Sequence, residues 1–419
     1  MKTATLLRGS PATYLTAPLL VFCFIVAYDH RASGPITNGY APATATGAVR
    51  LLLFPASIAA GCAAWEAAKM RLSGIGELAP YRSFYSLAAN VLWPISVMAA
   101  SGVAVMNAAF YLQSGVWPGV NSLPTMLTGL LVALCYVIIG FTIGTLAGTP
   151  AVVGPLTAAG TWTVIGYTGN LTVDTPALAW LGHVTLYGFT TPEIDQNISP
   201  MALLLPLIFL GAVCAACAVL FAPWRARVRR VTAVLLMASG LTISGAVAGS
   251  WGYQTPMVES PMAEICRTSS GVQACVPEVW KEDLPVLEAA IRNTVPQLTR
   301  AGVNRPEKIT YYRFAEKVES NRVWPIGLLV GATQEELSRQ VALGPVGNFA
   351  EVCDGATADA VEILSMWLLS TSGAHLEPHE HTASSLRELH AVQSSSLEQQ
   401  KQWYARTIAT IHACQENGR

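Results

Sequence analysis

Charge is what this sequence has least of. Of its 419 residues, 12% are Asp, Glu, Lys or Arg and 52% are hydrophobic, against about a quarter charged in a soluble domain. So little charge cannot solvate the surface of a soluble chain of this length, which points to a bilayer. The formal net charge of −1 offers no basic field for a nucleic acid, so that partner is excluded. There is no Gly-x4-Gly-Lys-Ser/Thr, hence no P-loop and no ATP binding by that route. Gly-x-Ser-x-Gly and His-Glu-x-x-His are also missing, and without a recognisable catalytic motif the chain reads as a non-enzyme.

The scarcity is uneven. Residues up to Trp251 hold 11 Lys+Arg and 6 Asp+Glu, about 7% of that part, whereas the 168 residues from Gly252 onward hold 14 and 20, about 20%. Between Arg82 and Asp174 lie 91 positions with neither charge nor histidine, a run that must fold back across hydrocarbon several times. The expected fold is a polytopic α-helical membrane protein, residues 1–251, carrying a small extracytoplasmic α+β domain, residues 252–419.

Crossing about 30 Å of hydrocarbon takes about 20 apolar residues. Seven stretches qualify: 12–28, 51–68, 85–112, 123–146, 151–167, 201–221 and 231–251. The fifth is the weakest, because Pro150, Pro155 and Gly160 interrupt it, and a re-entrant segment is its alternative. With the N-terminus inside, the inner segments hold Lys2, Arg8, Lys69, Arg71, Arg82, Arg225, Arg227, Arg229 and Arg230, and the outer ones Arg31 and Arg50. Basic residues concentrate inside, so seven spans put everything after Trp251 outside. No small-x-small cleavage site follows the first span, which ends Ala27-Tyr-Asp-His30, and it is expected to be retained.

Cys23, Cys62, Cys135, Cys214 and Cys217 lie in spans and read as small apolar packing residues, since hydrocarbon disfavours the thiolate that the Cys214-Ala-Ala-Cys217 spacing needs for redox work. Cys266, Cys275, Cys353 and Cys414 lie in the tail, an even number suited to an oxidising compartment. Of three possible pairings, Cys266 with Cys275, around Gly271, and Cys353 with Cys414 are favoured. In the tail, 277–298 shows helical periodicity, 309–314 and 323–330 read as extended, and Thr333-x-x-Glu336 is a capping box opening a helix to Ala342. Residues 358–369 read as a buried helix. A single polar helix is expected over 384–414, with Gln399, Gln400, Lys401 and Gln402 on its solvated side, and the Pro-rich 251–266 reads as a linker.

His375, His379 and His381 stand with two carboxylates in one short stretch and are the weak metal candidates. Pro378 prevents a regular turn from presenting His375 and His379 together, which favours a solvated turn. Gly140, Gly144 and Gly148 form a stripe on the fourth span where another helix backbone can come close, within the chain or between subunits. Asn170-Leu-Thr and Asn197-Ile-Ser are sequons expected on an outer loop.

The second inner loop is the most suggestive segment. Glu66 ends the second span, Lys69 and Arg71 sit at headgroup level, and a short amphipathic piece around Ile75, Leu78 and Tyr81 leads to Arg82. An ion pair locking an elbow and a docking element for a cytoplasmic partner both fit.

Over about 6–230 the layout resembles the membrane subunits of ABC-2-type exporters, particularly divergent permease-like proteins of actinobacteria. The likeness rests on the Trp65-Glu66 elbow, the basic Gly-containing loop to Arg82, the Gly/Pro-rich turn 148–155 and a long loop between the fifth and sixth spans. It implies that Glu66, Lys69, Arg71, Glu77 and Arg82 form a coupling element receiving the stroke of a separate ABC ATPase. ATP is then bound by that partner and no cofactor by this chain. A second permease chain, identical or different, is the other implied partner, and the plasma membrane the location. The seventh span and the tail depart from the family, although Cys266-x8-Cys275-Val-Pro is similar to a region of unknown function appended to some such permeases. Two other functions are open: a membrane anchor for an outer binding or metal-dependent domain, and a sensor or immunity protein whose tail recognises an external ligand.

Overall fold

The computed structural model describes residues 10–33, 39–74, 83–174, 178–315, 322–327, 331–347, 356–374 and 383–418. They fall into two compact units, Met1–Ser260 and Pro261–Arg419. The first contains α1 (Pro11–Ser33), α2 (Ala41–Arg50), α3 (Leu53–Leu72), α4 (Phe84–Ser114), α5 (Leu123–Leu146), α6 (Pro150–Asp174), α7 (Ala179–Val184), β1 (Gln196–Ile198), α8 (Pro200–Leu220), α9 (Ala226–Ala248) and β2 (Met257–Glu259). Five of these helices, α1, α4, α5, α8 and α9, are long and apolar enough to cross a membrane, and the α2–α3 pair, bent by 42°, is a sixth if taken as one span. The chain is therefore a helical membrane protein. The 25-residue α6, about 37 Å long, carries so much Gly, Thr and Pro that it falls short of the others in apolarity.

The core of this unit is α3 wedged between α5 and α6. Ala56, Ala59, Ala60, Gly61, Ala63, Ala64, Ala67 and Ala68 are buried along it, and helices with such small side chains can bring backbones into contact. A Cβ on Gly140 would strike the Ala60 carbonyl, and one on Gly144 the Ala64 carbonyl. On the adjoining face, a Cβ on Gly61 would lie 2.8 Å from Ala158 Cβ and 2.9 Å from the Gly154 carbonyl oxygen. The glycine stripe thus packs within the chain at two of its three members. Gly148 lies beyond the end of α5 with φ +73°, where it turns the backbone toward α6 rather than continuing the stripe.

The second span differs from expectation. The sequence places its start at Leu51, whereas α2 precedes it as a buried helix made of Pro42, Ala43, Thr44, Ala45 and Thr46. Threonine hydroxyls hide that helix from a hydropathy reading, but Thr44 Oγ1 donates to the Tyr40 carbonyl (3.1 Å) and Thr46 Oγ1 to the Pro42 carbonyl (2.9 Å), so burial leaves them bonded. The bend follows from Pro55, which has no N–H to give Leu51. Ahead of it the backbone tightens into three-residue bonds, Leu51 N to Ala48 O and Leu52 N to Val49 O.

Hydrogen bonds show that the bent α2–α3 pair and the long helices α4, α5, α6, α8 and α9 alternate in direction. One end gathers the start of α2, the end of α4, α7, β1 and the segment leaving α9. There Tyr111 Oη donates to the Ala41 carbonyl (3.0 Å), and Tyr40 Oη to the Gln196 carbonyl (2.9 Å). The other end gathers the end of α3, the start of α4 and the α5–α6 and α8–α9 turns, with Tyr85 Oη donating to the Ala218 carbonyl (3.0 Å) and Phe84 stacked on Phe221 at 4.3 Å. The stretch expected as a bare linker includes β2, paired antiparallel with β1, so the first unit extends past Trp251 to Ser260. Asn170 lies in the last turns of α6 and Asn197 in β1, neither on an open loop.

The second unit runs β3 (Glu264–Ser269), β4 (Val272–Pro277), α10 (Leu284–Arg300), β5 (Lys308–Tyr311), α11 (Tyr312–Ala315), β6 (Val323–Ile326), α12 (Gln334–Leu343), α13 (Ala356–Thr371), α14 (Ala383–Gln393) and α15 (Leu397–Gly418). Its sheet has the order β3-β4-β5-β6, the first pair antiparallel and the others parallel. Ser270 and Gly271, both at positive φ, close the β3–β4 hairpin in a two-residue turn. The helix expected from Pro277 starts at Leu284, because β4 runs to Pro277 and a 3-10 helix, Glu278–Asp283, intervenes. The extended run at 309–314 is half strand, turning helical at Tyr312. Thr333 and Glu336 form the expected capping box.

The single helix expected over 384–414 is two helices broken at Ser394–Ser396. Ser396 caps the second, its N–H donating to Gln399 Oε1 (2.9 Å), a Ser-x-x-Gln box legible in the sequence. Gln400 is not on the solvated side: its Oε1 accepts from the fully buried Trp367 Nε1 (3.2 Å). Trp367 is stacked on Tyr404 with ring centroids 5.6 Å apart, which anchors α15 on α13.

The glycine seams generate a contrast. Gly144→Val is expected to destabilise the protein by about 1–3 kcal/mol or more through overpacking. Gly160→Ala, whose Cβ meets nothing within 4 Å, should leave stability unchanged or raise it by up to about 1 kcal/mol. Thermal unfolding of both variants in one detergent checks the pair, and equal responses would refute the seam.

Candidate functional site

The α3 elbow is the first candidate. Glu66 is largely covered and lies 3.9 Å from Lys69 Nζ, one helical turn on, so the pair is an ion pair at long range. Arg71 donates through Nη2 to the Gly148 carbonyl, tying the end of α3 to the α5–α6 turn. Trp65 lies against α6, where a Cβ on Gly154 would sit 3.2 Å from Trp65 Cβ. Ser83 caps α4, its Oγ accepting from the Ser86 N–H (3.2 Å). Of the five expected coupling residues, Glu66, Lys69 and Arg71 are brought together here, and Glu77 and Arg82 lie outside the described residues.

The same end carries Arg225, Arg227, Arg229 and Arg230 at the start of α9, Arg229 Nη1 donating to the Ala222 carbonyl at 3.3 Å. Among the described residues of this unit, Arg31 near the end of α1 and Arg50 at the α2–α3 bend are the basic residues lying elsewhere. One end is thus markedly basic.

In the tail, Cys266 and Cys275 are directly opposed in β3 and β4 and joined as a disulfide. Cys353, the Cys414 side chain and the candidate ligands His375, His379 and His381 lie outside the described residues. Among the described residues no group of three His, Cys, Asp or Glu is placed to hold a metal.

The sequence gives little signal for a polar junction at the other end. His183 on α7 is 1% exposed. Its Nε2 is 3.1 Å from the Gly252 carbonyl oxygen, which can only accept, so Nε2 carries the proton; Nδ1 then accepts from Thr255 Oγ1 at 3.5 Å. Thr255 and Thr190 exchange two backbone-to-hydroxyl bonds of 3.0 and 2.8 Å, and the imidazole meets the Trp251 ring edge-on at 5.4 Å. Burial lowers the His183 pKa, opposed by the bond to Gly252, so the ring is held neutral. A lone histidine between two apolar stretches carries no spacing motif.

A histidine whose folded pKa is depressed binds fewer protons than in the unfolded chain, where its pKa is about 6.5. Its stabilising contribution is therefore full above that value and is lost as the pH falls toward the lower folded value. Between pH of about 7.5 and 5.5 the melting temperature of the wild type should fall more than that of His183→Gln, which keeps a donor for Gly252. Equal pH responses would show that His183 is not held neutral.

Residues 274–414, about a third of the chain and wholly within the second unit, match the model of a family described as a domain of unknown function (DUF7224). No curated protein and no solved structure matches the chain.

Proposed function

We propose that this chain is the membrane-spanning subunit of an ATP-driven exporter of the ABC-2 type, served by an ABC ATPase on a separate chain and paired with a second permease chain. The observation that carries the reading is the α3 elbow. Its Glu66, Lys69 and Arg71 end a helix packed backbone to backbone on both α5 and α6. At the two seams backbone meets backbone, so a push on that end moves three helices together. The chain's own lack of a P-loop requires the partner.

Orientation rests on charge. The 20 residues of α3 measure about 30 Å, the thickness of the hydrocarbon, and Arg50 stands before them and Lys69 and Arg71 at their far end. The bend then lies at one membrane surface, and α2 belongs to a cap beyond it. The 31-residue α4 has a length of about 46 Å, enough to cross and reach that cap. The basic end faces the cytoplasm. After seven passes, α6 included, the tail is extracytoplasmic at the plasma membrane, a compartment where the Cys266–Cys275 bond persists.

A second reading, an anchored outer binding or sensing domain, is favoured by one observation: the family match covers the second unit without the membrane helices. Neither reading assigns a catalytic role to the chain.

Purification in mild detergent should recover a P-loop ATPase with the wild type, and substantially less of it with Arg71→Glu at equal yield of folded protein. Recovery of the intact chain without any such ATPase, under conditions that preserve known transporter complexes, overturns the exporter reading and leaves the anchored domain. For orientation, an impermeant maleimide applied to intact cells should label Glu398→Cys and spare Ala226→Cys. The opposite pattern inverts the arrangement.

A further inference from the structure

The α8–α9 turn passes through Pro223 and Trp224 and opens α9 on Arg225, Arg227, Arg229 and Arg230. These four arginines fall into two kinds. Arg229 is half-buried, and its Nη1 bond to the Ala222 carbonyl fastens the turn. Arg225, Arg227 and Arg230 are exposed, and among the described residues none of their guanidiniums makes a hydrogen bond or an ion pair. Neither α8 nor α9 contains an Asp or a Glu, so no carboxylate of the hairpin neutralises them. The turn is held without these three, and their charge faces outward uncompensated.

We infer that Arg227 and Arg230 hold the phosphate of an anionic phospholipid whose acyl chains run along α9. From Val231, the residue after Arg230, to Ala248 the helix carries no further charge, and it is apolar enough to cross a membrane. Arg227 and Arg230 stand about 4.5 Å apart along its axis. The headgroup layer of one leaflet is about 5–8 Å deep, so both guanidiniums fall within it. Residues three apart share one side of a helix, about 5–6 Å apart at Cβ, where two guanidiniums can bond the oxygens of one phosphate. Val231 and Val234, each one turn on from an arginine of the pair, continue that side and are exposed, leaving apolar surface directly beneath the charge. Trp224, also exposed, stands ahead of the arginines and is a residue type favoured at headgroup level.

Charge complementarity alone would also admit a free phosphate or an acidic protein surface. Neither has a use for Val231 and Val234, and both bind from water, whereas these arginines sit on the apolar part of the helix itself. A phospholipid matches the phosphate-binding pair and the apolar track together. Nothing here depends on export: α9 need only cross a membrane.

The test is native mass spectrometry of the full chain in detergent with equimolar phosphatidylglycerol and phosphatidylcholine of identical acyl chains. The wild type should retain phosphatidylglycerol in preference by about tenfold or more, the effect of two arginines on an anionic headgroup. Arg227→Gln with Arg230→Gln should bring the ratio toward one, and Arg50→Gln, which removes a charge elsewhere, should leave it unchanged. Phosphatidylglycerol with a photoreactive headgroup should crosslink to the wild type within residues 224–231. Equal retention of the two lipids overturns the proposal, as does a preference that survives the double variant. So does crosslinking confined to other segments, displacement of the lipid by inorganic phosphate, which marks an anion site in water, or a protein partner recovered at 224–231 in place of lipid. The crosslink is read on the wild type and decides the matter even where the double variant fails to fold.

Discussion

The membrane unit depends on how closely α3 can approach its neighbours. Lipid tails are as apolar as leucine, so no hydrophobic force drives two helices together inside a bilayer, and association rests on packing between backbones. Ala60 and Ala64 against Gly140 and Gly144 form one seam, and Gly61 against Gly154 and Ala158 the other. Any side chain larger than hydrogen at Gly140 or Gly144 would have to displace a carbonyl, so these positions are fixed by geometry rather than by preference. The seams also fix the register of the ends. With Gly144 on Ala64, the turn at Gly148 falls within reach of Arg71, whose donated bond closes the end of the wedge.

The two ends of that wedge are closed by different chemistry. At the basic end, aromatic rings and arginines do the work, Phe84 between Phe141 and Phe221 and Arg229 reaching back to Ala222. Such groups tolerate an interface that is partly apolar and partly wet. At the other end a buried polar junction joins α7 to the segment leaving α9, and each member has a defined partner: His183 to Gly252 and Thr255, Thr255 to Thr190. A junction of this kind holds only while every member is satisfied, so it specifies one arrangement of α7 and β2 more sharply than apolar contact does.

How much of this was legible in the sequence follows from what each segment is made of. Leu, Val, Ile and Phe mark α4, α5, α8 and α9 by long apolar runs, and their observed ends lie close to those expected. Threonine, glycine and proline dilute the apolar runs of α2 and α6, so hydropathy leaves the first unmarked and the second weak, although both pack against several other helices. The glycine stripe was visible, but its partner was not, because Ala60 and Ala64 are unremarkable until the fold brings them beneath it. At the candidate site Glu66, Lys69 and Arg71 are identifiable by their place after an apolar run, whereas His183 depends on neighbours far away in sequence. In the tail, local capping and turn chemistry at Thr333 and Gly271 was readable. The strand ending at Pro277 and the break at Ser394–Ser396 are obscured, because helical periodicity in apolar positions overrides proline and serine.

The second unit shows how a polar sequence can still hide a core. Its last helix looks solvated because glutamine and lysine crowd its first turns, yet Gln400 accepts from a tryptophan with no exposed surface, and Tyr404 and Ile411 are buried below it. A buried indole N–H left unpaired would cost about 1–3 kcal/mol, so Gln400 is a polar residue placed to satisfy the core rather than to face water. Trp280 is likewise fully buried, meeting Tyr311 edge-on at 5.0 Å. Large aromatic residues at these places let few residues bury much apolar surface, as a domain of this size requires, and the Cys266–Cys275 bond adds to them by restricting the unfolded chain at the β3–β4 hairpin. The tail therefore has its own core, its own covalent restraint and its own family match, the properties of a module whose role need not be that of the membrane unit to which it is joined.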